Sequence, residues 1–225
     1  MPDLRQGCAI RAVSFDAAGT LFVPHPGVGA VYAEVAARHG IVRDACELES
    51  RFRPAFAAAQ RRWRVPYGAD DSDALTFWAE VISGTFGEPL PYETVCDLYD
   101  AFASATRWRL VPGAHAAVDL ARAHGLPTAV VSNFDCRLEP LLAGIGLGPF
   151  DAVVASTAVG RAKPDPAVLI EACRRLGVVP ADVLHLGDSE REDGVMCVAA
   201  GARWLRVDPL VGIPLEELSA ILAVA

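Results

Sequence analysis

Six polar residues follow short apolar segments that have the character of buried strands. One aspartate comes directly after AVSF, a Ser-Asn pair comes after TAVV, and another aspartate comes after VLHLG. A lysine follows a further apolar segment, and a third aspartate ends the sequence GDSERED. These residues are Asp16, Ser132, Asn133, Lys163, Asp188 and Asp193. In an open parallel sheet, ligands bind at the carboxyl ends of the strands. Three carboxylates, a hydroxyl and an ammonium at that edge predict polar chemistry, which a purely structural core does not need.

The strands that must position these residues are predicted at five apolar stretches. They are residues 9–15, 127–132, 152–155, 183–186 and 203–207. Segments with helical character occupy residues 114–124, 137–144, 166–176 and 194–200. Apolar strands that alternate with helices are typical of a parallel sheet covered on both faces. The tetrapeptides ARHG, RAHG and RRLG each place a cationic or polar side chain before glycine, as at many helix C-termini. We therefore predict an α/β fold with a Rossmann-like three-layer core.

The alternation is interrupted after the first strand. A Pro- and Gly-rich segment follows Phe22. From Val31 to about Leu110, apolar and aromatic residues then recur at helical spacing, for example over residues 74–81 and 95–105. The parallel-sheet pattern returns after Val111-Pro112-Gly113. We predict a core made of residues 1–23 and 111–225, and a helical insert made of residues 24–110.

Each polar residue at a strand end also has an ordinary structural explanation. Aspartate often forms turns or caps helices, and Ser132 and Asn133 are suitable caps for the next helix. Lys163 precedes proline, which favours an extended loop conformation. Asp188 and Asp193 are suitable residues for the first turn of a helix. All of these structural explanations would have to hold at once, each at the right strand end. A single functional site explains the six residues better than such a coincidence.

Four ordered motifs resemble those of the haloacid dehalogenase superfamily, over essentially the whole chain. They are FDAAGTLF at residues 15–22, VVSN at residues 130–133, Lys163 in RAKPDP, and HLGDSEREDG at residues 185–194. The insert is similar to the helical cap of the subgroup whose cap follows motif one. The resemblance implies a hydrolase with a Rossmann-like core and a cap domain.

The resemblance also implies how a phosphoryl group would be handled. Asp16 would be the nucleophile and would form an aspartyl-phosphate. Ser132 would donate a hydrogen bond to a phosphoryl oxygen, assisted by backbone N–H groups near Ala17 and Asn133. Lys163 would offset the charge of the nucleophile and the phosphate. It is the only lysine among 20 basic residues, and its compact ammonium suits a crowded site.

A magnesium ion is implied at the same edge of the sheet. Asp16 and Asp188 would bind Mg²⁺, directly or through water, and Asp193 would support the site. Family members also use a backbone carbonyl two residues after the nucleophile, and Ala18 offers that group as well as any other residue.

Ala18 departs from the D-x-D-G-T pattern of the family's phosphatases, in which the second aspartate protonates the leaving oxygen and later activates water. General acid–base help is worth roughly 10²–10⁴-fold in rate. We therefore expect a phosphatase that is slow or restricted to good leaving groups such as acyl phosphates. Another acid is the second explanation, with candidates at Asp135 near motif two and at Asp70, Asp71 and Asp73. For the last three, a solvated helix start is the favoured interpretation.

Three further interpretations start from the same departure. Phosphonoacetaldehyde hydrolase also has Ala here but needs a cap lysine, and this chain has no lysine besides Lys163. A 2-haloacid dehalogenase, whose aspartate attacks carbon without a metal, agrees with Asp16 and Ser132 but lacks the paired aspartates seen here as Asp188 and Asp193. A pseudoenzyme that binds a ligand or a protein would have no need to keep Asp16. The dehalogenase and the pseudoenzyme stay open as alternatives to phosphoryl transfer.

The resemblance implies that the insert contacts the leaving group of the substrate. Candidate contacts are Arg61, Arg62, Trp63 and Arg64, with Tyr67, Trp78 and Trp108 as stacking surfaces. Such aromatic residues more often pack a helical core, and RRWR is more often an exposed helix face. An arginine in the pocket would favour a substrate with a second anionic group. His25, where the insert begins, is a further candidate, although a structural role is more common there.

Composition limits the class of partner. The net charge of −8 argues against nucleic acid and anionic membranes, which bind basic patches. A small phosphorylated metabolite remains, because a metal ion or a few donors can reverse the local field. No apolar run is long enough to cross a bilayer, and the six scattered cysteines are expected to be reduced and packed as small apolar groups. We expect a cytoplasmic protein that acts as a monomer or homodimer.

Overall fold

A five-stranded parallel sheet forms the centre of the protein. The computed structural model describes residues 9–223. Within that range the strands are β1 (Ala12–Phe15), β2 (Phe22–Pro24), β3 (Trp108–Leu110), β4 (Thr128–Ser132), β5 (Ala152–Ala155), β6 (Val183–Gly187) and β7 (Arg203–Arg206). The order in the central sheet is β5-β4-β1-β6-β7, and every neighbouring pair is parallel. The sheet therefore has β1 at its middle, with β4 and β6 on its two sides.

Helices cover both faces of this sheet. The helices are α1 (Val28–Arg38), α2 (Ala45–Arg62), α3 (Asp71–Phe86), α4 (Tyr92–Ala101), α5 (Ala114–Ala123), α6 (Leu138–Gly144), α7 (Ser156–Val159), α8 (Ala167–Leu176), α9 (Val195–Ala200) and α10 (Leu215–Leu222). Val13 and Phe15 of β1 pack with α5, α6 and α10. Ala12, on the opposite face, packs with α8 and α9. Both faces of the strands are buried, which explains why they are apolar throughout. The predicted α/β, Rossmann-like fold is confirmed.

The first strand is shorter than predicted. The sequence pattern indicated residues 9–15, but pairing begins at Ala12, which lies opposite Val183. The partner β4 begins at Thr128, opposite Val13. The length of β1 is thus limited by its neighbours, which a single run of apolar residues cannot show.

A second, two-stranded sheet was not predicted. β2 and β3 are antiparallel, with Phe22 opposite Leu110 and Pro24 opposite Trp108. The Phe22 and Trp108 rings meet edge to face, with their centroids 4.9 Å apart. The prediction of helical character up to about residue 110 was therefore wrong at its end. The reason is that β2 and β3 are joined by pairing between distant parts of the chain, which local periodicity does not report.

Helices α1 to α4 lie between β2 and β3 and share a buried cluster of their own, which includes Val31, Tyr32, Leu48, Ile82 and Leu98. The Asp70 side chain caps α3 by accepting hydrogen bonds from the backbone N–H groups of Ser72 and Asp73. The predicted helical spacing over residues 95–105 holds only as far as Ala101, where α4 ends. The division into a core and an insert at residues 23/24 and 110/111 stays a prediction.

The cysteines behave less uniformly than predicted. The five that lie in residues 9–223 are free thiols, and Cys8 lies outside the described residues. Cys173 and Cys197 are buried as small apolar groups, as predicted, but Cys46 and Cys136 are exposed. Exposure depends on which side of a helix or loop faces the core, and these two side chains face outwards. Among residues 9–223, no helix combines the length and hydropathy needed to cross a membrane.

Candidate active site

Asp16 lies at the carboxyl end of the central strand. Its backbone N–H donates to Leu186 O at 2.8 Å, which extends the pairing of β1 with β6. Its side chain is buried, and Ser132 at the end of β4 donates from Oγ to Asp16 Oδ1 at 2.9 Å. Because β1 pairs with both β4 and β6, the residues that follow these three strands meet at one edge. The sheet order thus brings Asp16, Ser132 and Asp188 together.

Lys163 links two carboxylates at this edge. Its Nζ donates to Asp16 Oδ1 and to Asp193 Oδ1, each at 2.6 Å, and the side chain is 2% exposed. Burial lowers the pKa of a lysine, but the charges of Asp16 and Asp193 reverse this and raise the pKa of Lys163 above its usual range. The amine therefore stays protonated and serves as a fixed positive charge.

The Asn133 side chain holds the Lys163 backbone in place. Its Oδ1 accepts from Lys163 N at 2.7 Å, and its Nδ2 donates to Lys163 O at 3.1 Å. The sequence motif predicts only a backbone role for Asn133. Its side-chain role was missed because it depends on a contact between two loops that are distant in sequence.

Asp193 is held by a buried network. Its Oδ1 lies 3.1 Å from His185 Nε2, and its Oδ2 accepts from Ser189 N at 3.1 Å. The other ring nitrogen of His185 lies 2.8 Å from Ser14 Oγ. Burial opposes ionisation of Asp193, but Lys163 and His185 hold its pKa below the usual range, so it remains a carboxylate.

Asp188 completes an acidic triad. Carboxylate oxygens of Asp16, Asp188 and Asp193 all lie within 4.8 Å of one another. Burial, together with the charges of Asp16 and Asp193, raises the pKa of Asp188 to about 7. Burial also raises the pKa of Asp16, although Lys163 opposes the shift. Lys163 thus offsets only part of the burial and the mutual repulsion that oppose ionisation of Asp16 and Asp188.

The donor set of this triad fits a hard divalent cation. Mg²⁺ prefers oxygen ligands and is commonly bound by one or two carboxylates together with water and substrate phosphate. Buried carboxylates that repel one another are stabilised by such an ion. The observed arrangement therefore meets the chemical requirements of a magnesium site.

Two small residues follow Asp16 in a tight turn. Ala17 is buried, and its carbonyl accepts from the N–H of Leu21 at 2.8 Å. Ala18 is exposed. Gly19 has a φ of 101°, and a Cβ there would lie 2.7 Å from the Asp188 carboxyl carbon. Glycine is needed here because of both the left-handed backbone and the close carboxylate.

The four alternative acids are engaged elsewhere. Asp70 caps α3, which confirms its interpretation as a helix start. Asp71 Oδ1 accepts from Cys136 N at 2.9 Å and from Thr157 Oγ1 at 2.7 Å. Asp73 Oδ2 accepts from Ala69 N at 3.1 Å. Asp135 is buried and forms an ion pair with Arg137 at 2.7 Å.

Gln60 and Tyr67, both in the segment between β2 and β3, lie near the site. Gln60 was not predicted to do so, and Tyr67 was predicted only as a stacking surface. Gln60 Nε2 donates to Glu192 Oε1 at 3.2 Å, and Glu192 Oε2 accepts from Asn133 Nδ2 at 3.0 Å. Tyr67 has a φ of 71°, the one positive φ of a non-glycine residue in the described chain. Burial first, and then the charges of Glu192 and Asp16, raise the pKa of Tyr67. Glu192 could have been noticed beside Asp193, whereas Gln60 carries no sequence signal.

The remaining aromatic candidates are mainly engaged by neighbouring side chains, and Trp63 also lines a cavity. Trp78 stacks on Phe56 with centroids 5.7 Å apart. Trp63 donates from Nε1 to Glu80 at 3.0 Å. Trp108 packs between β2 and neighbouring aromatic rings. Packing is therefore the main role of these three residues.

The arginines of RRWR differ from one another. All three, Arg61 included, are exposed, but Arg62 pairs with Glu80 at 3.2 Å and Arg64 lines a cavity together with Trp63. The structure assigns no contact with the acidic triad to His25, whose peptide bond to Pro26 is cis.

The chain is similar to known proteins along most of its length. The family model of haloacid dehalogenase-like hydrolases matches residues 10–201. The chain is 40% identical over 190 residues to haloacid dehalogenase-like hydrolase domain-containing protein 3 of Mus musculus, covering 80% of this chain and 74% of that protein. It is 31% identical over 200 residues to the phosphoserine phosphatase of Thermus thermophilus, covering 81% and 77%.

A solved structure adds to these sequence relatives. The L-2-haloacid dehalogenase from Xanthobacter autotrophicus, with chloropropionic acid covalently bound, matches with a TM-score of 0.69 and 26% identity, over 94% of this chain and 88% of that one. With the parallel sheet and the strand-end residues described above, these matches show that the chain belongs to the haloacid dehalogenase-like hydrolases.

Proposed function

We propose that the protein is a magnesium-dependent phosphoryl-transfer hydrolase that acts on a small phosphorylated metabolite through an aspartyl-phosphate. The observation that carries this proposal is the acidic triad, in which oxygens of Asp16, Asp188 and Asp193 lie within 4.8 Å of one another beside Lys163. A nucleophile that attacks carbon has no need for two further carboxylates at this distance. A nucleophile that attacks phosphorus together with a divalent cation does.

The chain's own residues supply most of the required chemistry. Asp16 Oδ1 is engaged by Lys163 and Ser132, whereas Oδ2 has only a 3.5 Å contact from Thr20 Oγ1. Oδ2 is thus the less engaged oxygen and is suited to attack phosphorus. Ser132 Oγ and the backbone N–H groups of Ala17 and Asn133 would donate to phosphoryl oxygens, and Lys163 would offset their charge.

A magnesium ion would be held by Asp16, Asp188 and Asp193, with the backbone carbonyl of Ala18. When bound, it would neutralise charge on the phosphoryl oxygens. Its presence would also remove the repulsion that raises the pKa of Asp188.

The residue at position 18 limits the reaction. Alanine can neither protonate a leaving oxygen nor activate water, and the nearby acids Asp70, Asp71, Asp73 and Asp135 are engaged in caps, loop contacts or an ion pair. We therefore propose that turnover is slow for ordinary esters and faster for substrates whose leaving group needs no protonation. The phosphatase relative from Thermus thermophilus supports the reaction class.

A 2-haloacid dehalogenase is the second candidate. It is favoured by the similarity to the Xanthobacter autotrophicus enzyme and by Ala18, because carbon attack with loss of a halide needs no acid at that position. The presence of Asp188 and Asp193 beside Asp16 weighs against it. The two reactions differ in their need for a metal.

A substrate panel with Mg²⁺ and with EDTA tests the proposal. The panel contains p-nitrophenyl phosphate, acetyl phosphate, sugar and nucleotide phosphates, and 2-chloropropionate. Metal-dependent phosphate release that is lost in Asp16→Asn is expected. Chloride release that persists in EDTA would replace the proposal with dehalogenation, and no turnover of any compound would indicate a ligand-binding pseudoenzyme.

A further inference from the structure

A cavity of about 300 Å³ lies where the α2–α3 connection meets the loop after α7. Its walls are formed by Trp63, Arg64, Val65, Ala69, Asp73, Gly160 and Arg161. The first five belong to the segment between β2 and β3, and the last two belong to the loop that leads to Lys163. We propose that this cavity holds the leaving group of the substrate and that Arg64 and Arg161 bind a second anionic group on it, a carboxylate or a phosphate. This inference rests on the proposed phosphoryl-transfer function and specifies its substrate class.

The position of the cavity relative to Lys163 supports this assignment. Arg161 precedes Lys163 by two residues, so their Cα atoms are at most about 7 Å apart, and Lys163 contacts Asp16 directly. On the other wall, Tyr67 lies three residues after Arg64 and is close enough to the triad for its charges to act on the phenol. The volume is at the small end of ligand pockets, which suits a small metabolite.

The two loops that form the cavity are in contact. A Cβ added to Gly160 would lie 3.2 Å from Ala69 O, so glycine allows the backbones to approach closely. Thr157 Oγ1, in α7 just before this loop, donates to Asp71 Oδ1 at 2.7 Å. The cavity walls are therefore held together by direct contacts.

The charges of the cavity favour an anion. Arg64 has no ion pair or hydrogen bond with any residue in the range 9–223. Arg161 pairs only loosely with Asp165, at 3.6 Å, with half of its side chain exposed. Asp73 is the single acidic residue of the wall, and its Oδ2 accepts the backbone N–H of Ala69. Two guanidinium groups that lack a strong partner can each bind a carboxylate or phosphate through two parallel N–H donors.

Binding to matched probes tests the assignment. The probes are 4-carboxyphenyl phosphate, its carboxamide analogue 4-carbamoylphenyl phosphate, and 1,4-phenylene bisphosphate. Dissociation constants are measured by calorimetry with Mg²⁺ in Asp16→Asn, so that turnover does not enter the measurement. We expect the two probes that carry an anionic group at the far end, the carboxylate and the bisphosphate, to bind about tenfold more tightly than the carboxamide. The reason is that a charge-assisted contact is worth about that factor. Whichever of the carboxylate and bisphosphate probes has the lower dissociation constant identifies the anionic group that the site prefers.

Arginine substitutions locate the effect. Arg64→Gln and Arg161→Gln, each added to Asp16→Asn, are expected to reduce the preference for the charged probes to less than about threefold while carboxamide binding stays unchanged. Arg61→Gln is the matched control, because Arg61 is exposed like Arg64 and lies three residues from it, but is outside the cavity wall. Equal affinity for all probes, or an equal loss in Arg61→Gln, would overturn the inference.

Turnover of the same probes separates the two proposals. If the wild type hydrolyses the charged and carboxamide esters with equal kcat/KM, phosphoryl transfer stands and the anion site falls. If the charged probes bind selectively but no ester is hydrolysed, the anion site stands and the hydrolase proposal falls. If no probe binds or reacts, both are wrong.

Discussion

The Nζ of Lys163 lies 2.6 Å from Oδ1 of Asp16, with both side chains almost fully buried. The same nitrogen contacts Asp193 at 2.6 Å, so one ammonium offsets two carboxylates. Buried charges are tolerated when they are paired and are costly when the partner is removed. The stability of the protein and its chemistry are therefore linked through this lysine.

Replacement of Lys163 by Met is expected to reduce both properties. Two buried carboxylates lose their partner, and the free energy of unfolding in EDTA should fall by about 3–5 kcal/mol. Urea unfolding followed by circular dichroism measures this loss, and Mg²⁺ should restore part of it. Lys163→Arg keeps the charge but not the compact shape, and we expect a folded protein with little turnover. Unchanged stability in Lys163→Met would show that the carboxylates are not both ionised.

Replacement of Ala18 by Asp is expected to raise turnover. Ala18 is exposed, so a carboxyl group fits without displacing a neighbour. The kcat for sugar phosphates should rise by about 10²-fold or more, within the range of acid–base catalysis, and the gain should be smaller for acetyl phosphate because its leaving group needs no proton. Ala18→Asn provides the isosteric control without an acid. A gain in Asn equal to that in Asp would contradict the acid–base explanation.

Gly187→Ala is expected to disturb the triad. A Cβ at Gly187 would lie 2.3 Å from the Asp193 carboxyl carbon, and Asp193 is fixed by Lys163, His185 and Ser189. We expect a loss of about 1–3 kcal/mol in unfolding free energy together with weaker Mg²⁺ binding, measured by calorimetry. A variant with full stability and full Mg²⁺ affinity would show that the loop moves without cost.

Glu34 is expected to contribute to the free energy of unfolding in a way that depends on pH. Hydrogen bonds from Arg107, and secondarily the pair with Arg38, lower its pKa to about 2 from an ordinary value of 4.5. A lowered pKa contributes stability above pH 4.5, and this contribution is lost as the pH falls from 4.5 towards 2. Glu34 is exposed and Arg107 is only partly buried, so salt should weaken the effect. Melting temperatures of wild type and Glu34→Gln should converge across that range, and a constant difference would contradict the linkage.

Much of the active site could be predicted from the sequence because strand ends are local features. Asp16, Ser132 and Asp188 each follow a short apolar run, and parallel strands place such ends at one edge. Lys163 was predicted for a related reason, since its motif comes in order after the third strand. The side chains of these four residues meet at one site.

Other features depended on contacts between distant parts of the chain. The pairing of β2 with β3, the hydrogen bonds from Asn133 to the Lys163 backbone, and the contact of Gln60 with Glu192 join segments that no local pattern connects. The cavity formed by Arg64 and Arg161 is of the same kind.

The sequence by itself determined the α/β fold, the edge of the sheet that carries the polar residues, and the absence of a carboxylate at position 18. Only the tertiary structure decided which aspartates share Lys163, which candidate acids are engaged by other groups, and which arginines line a cavity. The physical reason is that periodicity and strand ends are properties of consecutive residues, whereas ion pairs and cavities arise from packing between separate loops.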